Sequence, residues 1–152
     1  MRATLLGLAL GTATLLAGEA LGAPRDEIRA TYEQFVAAQN ARDLDRVRSL
    51  LLDSPEFLWV SDGRSFWGRE ALVARMASFQ RAETWRALPD LDHAAFVTVS
   101  ERSAYIHMPL VLQIGARGGP VNDTRFLVSI LFTRADGDWR IAALFTTLQN
   151  TD

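Results

Sequence analysis

A histidine and a tyrosine two residues apart interrupt a long apolar stretch of the sequence. His107 lies within residues 104–114, where a polar side chain needs a hydrogen-bond partner or a chemical role. Tyr105 falls on the same side of such a strand, because side chains alternate with a period of two. The two side chains could present an imidazole and a phenol to one ligand, so His107 and Tyr105 are the candidate catalytic residues. The alternative is a structural histidine, satisfied by a neighbour or placed at a dimer face, beside a tyrosine that only packs.

Aromatic residues form a second group of candidates, because the chain has four tryptophans and such rings often line pockets for flat, apolar ligands. Trp59 and Trp67 are predicted to face each other across a hairpin. Tyr32 falls on the inward face of the first predicted helix, where its hydroxyl would need water, His107 or a ligand as a partner. Arg125 begins a predicted strand and could contact an anionic group at a pocket rim, although a surface ion pair would explain it equally well. The candidate ligand-binding residues are Tyr32, Trp59, Trp67, Tyr105, His107 and Arg125.

Acidic residues supply two weaker candidates. Asp62 could be a general base at a pocket mouth, but the pair Asp62-Gly63 is what a tight turn selects, so no catalytic role is assigned to it. Asp90, Asp92 and His93 could bind a metal if they converged, but a solvated turn between strands explains them better. With two histidines and no cysteine in the chain, we predict neither a metal site nor a cofactor.

The composition is that of a soluble, folded domain and excludes several classes of protein. The chain has 152 residues, 49% of them hydrophobic and 22% charged, which suits one domain with one core. Its net charge is −2, and its 16 basic residues are arginines dispersed among acids, so a nucleic-acid partner is not expected. The absence of cysteine excludes disulfides, thiolate metal sites and a cysteine nucleophile.

The first 23 residues have the pattern of a secretory signal peptide. Arg2 precedes the apolar run from Leu5 to Ala17, and small residues follow around Ala20 to Ala23. The run is shorter than the ~20 residues that a membrane-spanning helix needs. We therefore expect a cleaved signal at residues 1–23, a mature domain at residues 24–152, export to the periplasm or medium, and no membrane attachment after cleavage.

Hydrophobic spacing predicts helices first and strands afterwards. Helices are expected over residues 24–41, over a short segment after the cap Asp43, and over residues 69–80. The Asp62-Gly63 pair predicts a hairpin between its two flanking strands. Helices segregated to one side of an antiparallel sheet define an α+β fold. The predicted strands are residues 57–61, 65–67, 85–88, 94–99, 104–114, 124–134 and 139–148.

Both faces of the two longest predicted strands are apolar. In residues 104–114 and 124–134, hydrophobic residues occupy odd as well as even positions. Three helices can cover only one face of the sheet, and a face that meets water normally carries polar residues. We therefore expect a homodimer through the sheet.

The order and spacing of several short patterns resemble those of a known family. They are Tyr32-Glu-Gln-Phe35-Val36, Arg42-Asp43, Asp62-Gly63, the helix start Trp67-Gly68-Arg69-Glu70, and Gly137-Asp138-Trp139-Arg140-Ile141. The chain resembles the SnoaL-like and NTF2-like domains of cystatin-like fold, including sets catalogued as domains of unknown function. The resemblance implies three N-terminal helices on a strongly curved antiparallel sheet, shaped as a cone with a pocket open at one end.

Activities vary within this family, so the resemblance leaves the function open. The ketosteroid isomerases place a tyrosine donor and an aspartate base where this chain has Phe35 and Trp59 or Val60, so that mechanism is not carried over. The histidine that many members have on the last strand is also missing after Ile141.

Two functional hypotheses follow. The first is an exported domain that binds a small apolar molecule in an aromatic-lined pocket. The second is an enzyme of the isomerase, cyclase or dehydratase type with His107 as general acid or base. A purely structural dimerisation module is a third possibility.

Overall fold

The described part of the chain has three helices, all of them before residue 80. The structure, a computed structural model, describes residues 16–79 and 81–150. Helix α1 spans Leu16–Ala41, α2 spans Leu44–Leu50 and α3 spans Arg69–Phe79. Of the predicted signal peptide at residues 1–23, residues 1–15 lie outside the described part, and the backbone is helical from Leu16 onward. Within the described residues, no helix is both long and apolar enough to cross a membrane.

Seven strands form one curved, unclosed sheet, and the α+β fold expected from the sequence is confirmed. The sheet order is β2-β1-β7-β6-β5-β3, and β4 also pairs with β5. Strands β1 and β7 pair in parallel, whereas the hairpin pattern of the sequence predicted antiparallel pairs only. The other pairs are antiparallel. The strands are β1 (Leu58–Ser61), β2 (Arg64–Trp67), β3 (Thr84–Pro89), β4 (Ala95–Ser100), β5 (Ser103–Gly115), β6 (Val121–Ala135) and β7 (Asp138–Leu148).

The hairpin between β1 and β2 forms at the predicted turn. Asp62 and Gly63 both have positive φ, 53° and 69°, as the mirror-image turns that suit twisted strands require. Trp59 pairs with Phe66 rather than with Trp67, which lies opposite Leu58. The expectation that the two tryptophans face each other was therefore wrong, since a shift of one residue moves a side chain to the other face of the sheet.

Helix α1 packs its apolar stripe against the inner face of the sheet. Ile28, Tyr32 and Phe35 are at most 1% exposed, as their spacing along the helix predicts. The inward residues at the start of β5, Ile106 and Met108, are fully buried beneath this layer. The core therefore lies between the three helices and the inner face of the sheet, where buried residues of β1, β3, β5, β6 and β7 join one cluster.

A side-chain clamp fixes the C-terminal end of α1 to the sheet edge. The Asn40 side chain donates Nδ2–H to the Ala87 carbonyl at 3.0 Å and accepts the Ala87 backbone N–H at 2.8 Å. Ala87 lies on β3, which pairs on its other side with the second half of β5. Asn40 thus supplies the hydrogen bonds that a neighbouring strand would otherwise give.

Candidate functional site

A cavity of about 330 Å³ lies between helices α1 and α3 and the inner face of the sheet, next to the second half of β5. Inward residues of β5 are fully buried up to Met108, but those that follow are only partly buried and line the cavity. Its volume falls within the ~300–1,000 Å³ typical of small-molecule sites. The lining residues are Tyr32, Phe35, Gln39, Trp59, Ser61, Asp62, Arg75, Met76, Phe79, Trp85, Ala87, Leu110, Leu112, Ile114, Thr124, Phe126, Val128, Leu144, Thr146 and Leu148.

Aromatic rings form the walls of the cavity on two sides. Trp59 is 8% exposed, and its indole N–H donates to the Thr146 hydroxyl at 3.2 Å, which fixes the ring on the inner face. Phe79 at the end of α3 stacks on Trp85 of β3, with ring centroids 4.5 Å apart. A flat apolar molecule in the cavity would therefore have several aromatic rings to pack against.

Tyr32 brings a phenol hydroxyl to the cavity. The side chain is 1% exposed, and its hydroxyl has no hydrogen-bond partner among the residues that the structure describes. Burial raises the pKa of this phenol above its ordinary value of 10.0 because the charged form loses its hydration. Tyr32 is therefore a neutral donor with nothing in the described protein to donate to, placed where a ligand would lie.

Arg75 and Asp62 form an ion pair in the cavity wall. The Arg75 guanidinium donates Nη2–H to Asp62 at 3.0 Å, and its carbon lies within 4.8 to 5.7 Å of the ring centroids of Trp59, Phe66 and Phe79. The Arg75 Nε atom is buried, with no hydrogen-bond partner in the described part of the chain. Asp62 is exposed at the turn after β1, with 59% of its side-chain surface accessible.

The structure separates the predicted ligand-binding residues into two groups. Tyr32 and Trp59 line the cavity. His107 and Tyr105 point to the opposite, outer face of the sheet, where the His107 ring lies 2.9 Å from the Ser129 hydroxyl. The outer face also carries Arg125 and Trp67, by their register opposite Val111 and Leu58, so these four residues do not contribute to the cavity.

Arg75 is the lining residue that the sequence analysis missed. The signal was present, since Arg75 lies three residues after Leu72 and four before Phe79, both on the apolar stripe of α3. A charged residue inside such a stripe is unusual, because burying a charge is costly. Such a residue therefore either pairs with an opposite charge or serves a site. Asp62 was weighed as a general base at a pocket mouth and assigned to the turn instead; in the structure it serves both as the turn and as the partner of Arg75.

Several charged groups lie apart from the cavity and are paired with one another. A polar groove of about 560 Å³ runs between α1, α2 and the β6–β7 hairpin, and two of its arginines, Arg134 and Arg140, contact Glu27 and Asp138. Asp90 accepts a hydrogen bond from His93, which lowers the pKa of that carboxyl. Within residues 16–79 and 81–150, no three potential ligands cluster to hold a metal ion.

Burial of the Tyr32 phenol makes the free energy of unfolding depend on pH in the alkaline range. The raised pKa keeps the native phenol protonated, whereas the unfolded chain ionises above its ordinary value of 10.0, so this contribution is complete below that pH and is lost above it. We predict that the free energy of unfolding falls more steeply above this pH in the wild type than in Tyr32→Phe, by up to about 1.4 kcal/mol per pH unit. Urea denaturation across this range measures both slopes. Tyr105→Phe, on the outer face, is the control and should retain the Tyr32-dependent loss; equal slopes for wild type and Tyr32→Phe would contradict the assignment.

Solved structures of several bacterial proteins share this arrangement of helices and sheet. An NTF2-like superfamily protein from Salmonella enterica serovar Typhimurium superimposes with a TM-score of 0.77 at 14% identity, over 86% of this chain and 94% of that one. An NTF2-like protein of cystatin-like fold from Novosphingobium aromaticivorans gives 0.72 at 18%, over 95% and 94%. An uncharacterised protein of cystatin-like fold from Caulobacter vibrioides gives 0.70 at 19%, over 82% and 89%. At these identities the likeness shows the fold alone.

A comparison of the sequence with protein-family models identifies the family of this chain. No curated protein matches the chain. The model of the SnoaL-like domain matches residues 28–144, which include the inward face of α1, the cavity walls and most of the sheet. The resemblance expected from the short sequence patterns is thereby confirmed, and the chain belongs to the SnoaL-like domain family.

Proposed function

We propose that this protein is an exported SnoaL-like domain that binds a small, mostly apolar molecule in the cavity. The observation that carries the proposal is the cavity itself, about 330 Å³ in volume and lined chiefly by aliphatic and aromatic side chains. The unpartnered Tyr32 hydroxyl supports a ligand with at least one polar atom. The exported location rests on the signal-like pattern of residues 1–23.

The enzymatic alternative loses its support. It required His107 as general acid or base beside a bound substrate, and a proton donor must come within about 3 Å of the group that it serves. His107 lies on the outer face of the sheet, with the strand backbone between its ring and the cavity. Binding without His107 is therefore the function that the geometry favours.

Naphthalene tests the cavity because it is flat, apolar and without a polar group. We expect saturable binding that stabilises the native state by about 2.7 kcal/mol at a free concentration one hundred times Kd, seen as a higher thermal midpoint. Leu112→Trp projects a larger side chain from the inner face of β5 and should weaken binding at least about tenfold. Val111→Trp is the matched control, because Val111 faces outward on the same strand.

Circular dichroism establishes that both variants keep the native fold before their affinities are compared. A wild-type protein that naphthalene does not stabilise would count against the proposal. Equal weakening by Leu112→Trp and Val111→Trp would place binding outside the cavity.

We also propose that two copies associate through the outer face of the sheet. Tyr105, Leu131 and Phe145 lie on three strands of this face and are 38%, 38% and 42% exposed. Tyr105 pairs with Leu131 across β5 and β6, so the apolar surface is continuous. A second copy presents the same surface, and an isologous contact between the two would remove both from water.

Sedimentation equilibrium measures this association. The wild-type domain should be dimeric at micromolar concentration, and Leu131→Arg should shift it to monomer, since it would bury an unpaired charge in each half of the interface. Ala74→Arg, on the exposed side of α3, adds the same charge away from the outer face and should leave the dimer intact. A monomeric wild-type protein would refute the proposed interface.

A further inference from the structure

The charged residues that line the cavity have a net charge of zero. Arg75 and Asp62 are the only charged residues in its described lining, and they contact each other at 3.0 Å. Asp62 is the single hydrogen-bond acceptor of the Arg75 guanidinium in the described part of the chain, through Nη2. The guanidinium therefore has its charge compensated, while its buried Nε–H has no acceptor in the described part of the chain and its other N–H groups keep donor capacity for a ligand.

We propose that this pair selects the ligand by charge: the cavity takes an apolar molecule with a neutral, hydrogen-bond-accepting oxygen and discriminates against the same skeleton with a carboxylate. The proposal rests on the binding function above and specifies its ligand class. A ketone or ester carbonyl accepts a hydrogen bond from Arg75 without changing the net charge of the site. A carboxylate adds a negative charge beside Asp62 that no described lining residue can neutralise.

The aromatic surroundings make this discrimination stronger than it would be in water. Three rings lie within 4.8 to 5.7 Å of the guanidinium carbon and cover much of its surface, which leaves the Arg75 side chain 25% exposed. Charges interact more strongly where water is excluded. Asp62 itself is 59% exposed, so its own charge is hydrated and costs little to maintain at the cavity mouth.

Substitution of Asp62 should reverse the preference. Asp62→Asn removes the negative charge, and asparagine tolerates the positive φ of 53° at this turn. Arg75 is then an uncompensated cation that a carboxylate can engage with two parallel hydrogen bonds. Asp138→Asn is the matched control, because Asp138 also pairs with an arginine at 3.0 Å in a hairpin but lies outside the cavity.

Equilibrium dialysis with three probes of one skeleton tests the proposal: naphthalene, 2-acetylnaphthalene and 2-naphthoate. The wild-type protein should bind the ketone at least about tenfold more tightly than the carboxylate. Asp62→Asn should move that ratio at least about tenfold toward the carboxylate, and Asp138→Asn should leave it unchanged. Arg75→Met should remove the advantage of the ketone over naphthalene while naphthalene still binds, which would assign the advantage to the guanidinium donors.

The outcomes separate the two proposals. Two results would show that the charge selection is wrong while the binding function stands. One is that naphthalene binds but the ketone and the carboxylate bind equally well. The other is that Asp62→Asn and Asp138→Asn change the ratio of ketone to carboxylate affinity alike. If none of the three probes binds the wild-type protein, the binding function fails and the charge selection fails with it.

Discussion

The two hydrogen bonds between Asn40 and Ala87 set the geometry on which the cavity depends. They fix the C-terminal end of α1 at the edge strand β3, while Ile28, Tyr32 and Phe35 of the same helix are buried in the core. Beside this fixed helix end, Leu110, Leu112 and Ile114 in the second half of β5 are only partly buried and line the cavity. Net hydrogen-bond contributions are on the order of 1 kcal/mol each, so the clamp is a modest interaction with a large geometric effect.

Much of the fold was predictable because the relevant signals are local. The spacing of Ile28, Tyr32 and Phe35 identifies the inward face of α1, and Asp62-Gly63 identifies the hairpin turn. The parallel pairing of β1 with β7 joins segments far apart in the chain, so no local pattern encodes it. The cross-strand partners of Trp59 and Trp67 depend on the exact register of the hairpin. An error of one residue in that register is enough to pair the two tryptophans wrongly.

The candidate site was harder to predict because both faces of the long strands are apolar. The outward set does include polar residues such as His107, Gln113, Arg125 and Ser129, but large apolar residues lie between them, so the alternation is incomplete and does not plainly mark the solvent side. His107 and Tyr105 belong to the outer set, although a polar residue in an apolar strand is a reasonable signal for a site. Tyr32 and Arg75 lie on helices, where the periodic stripe does specify direction, and both reach the cavity. In this chain the helical stripe therefore indicates which side chains face the interior more clearly than the strand alternation does.

Everything proposed about binding requires that the space between α1, α3 and the sheet be open and chiefly apolar. A crystal structure determined under xenon pressure tests this most directly, because xenon occupies apolar cavities that protein atoms leave empty. We expect a xenon peak enclosed by Phe35, Leu112 and Phe126, with the Asn40–Ala87 hydrogen bonds in place. Side chains packed solidly across that space, with no xenon bound, would contradict it.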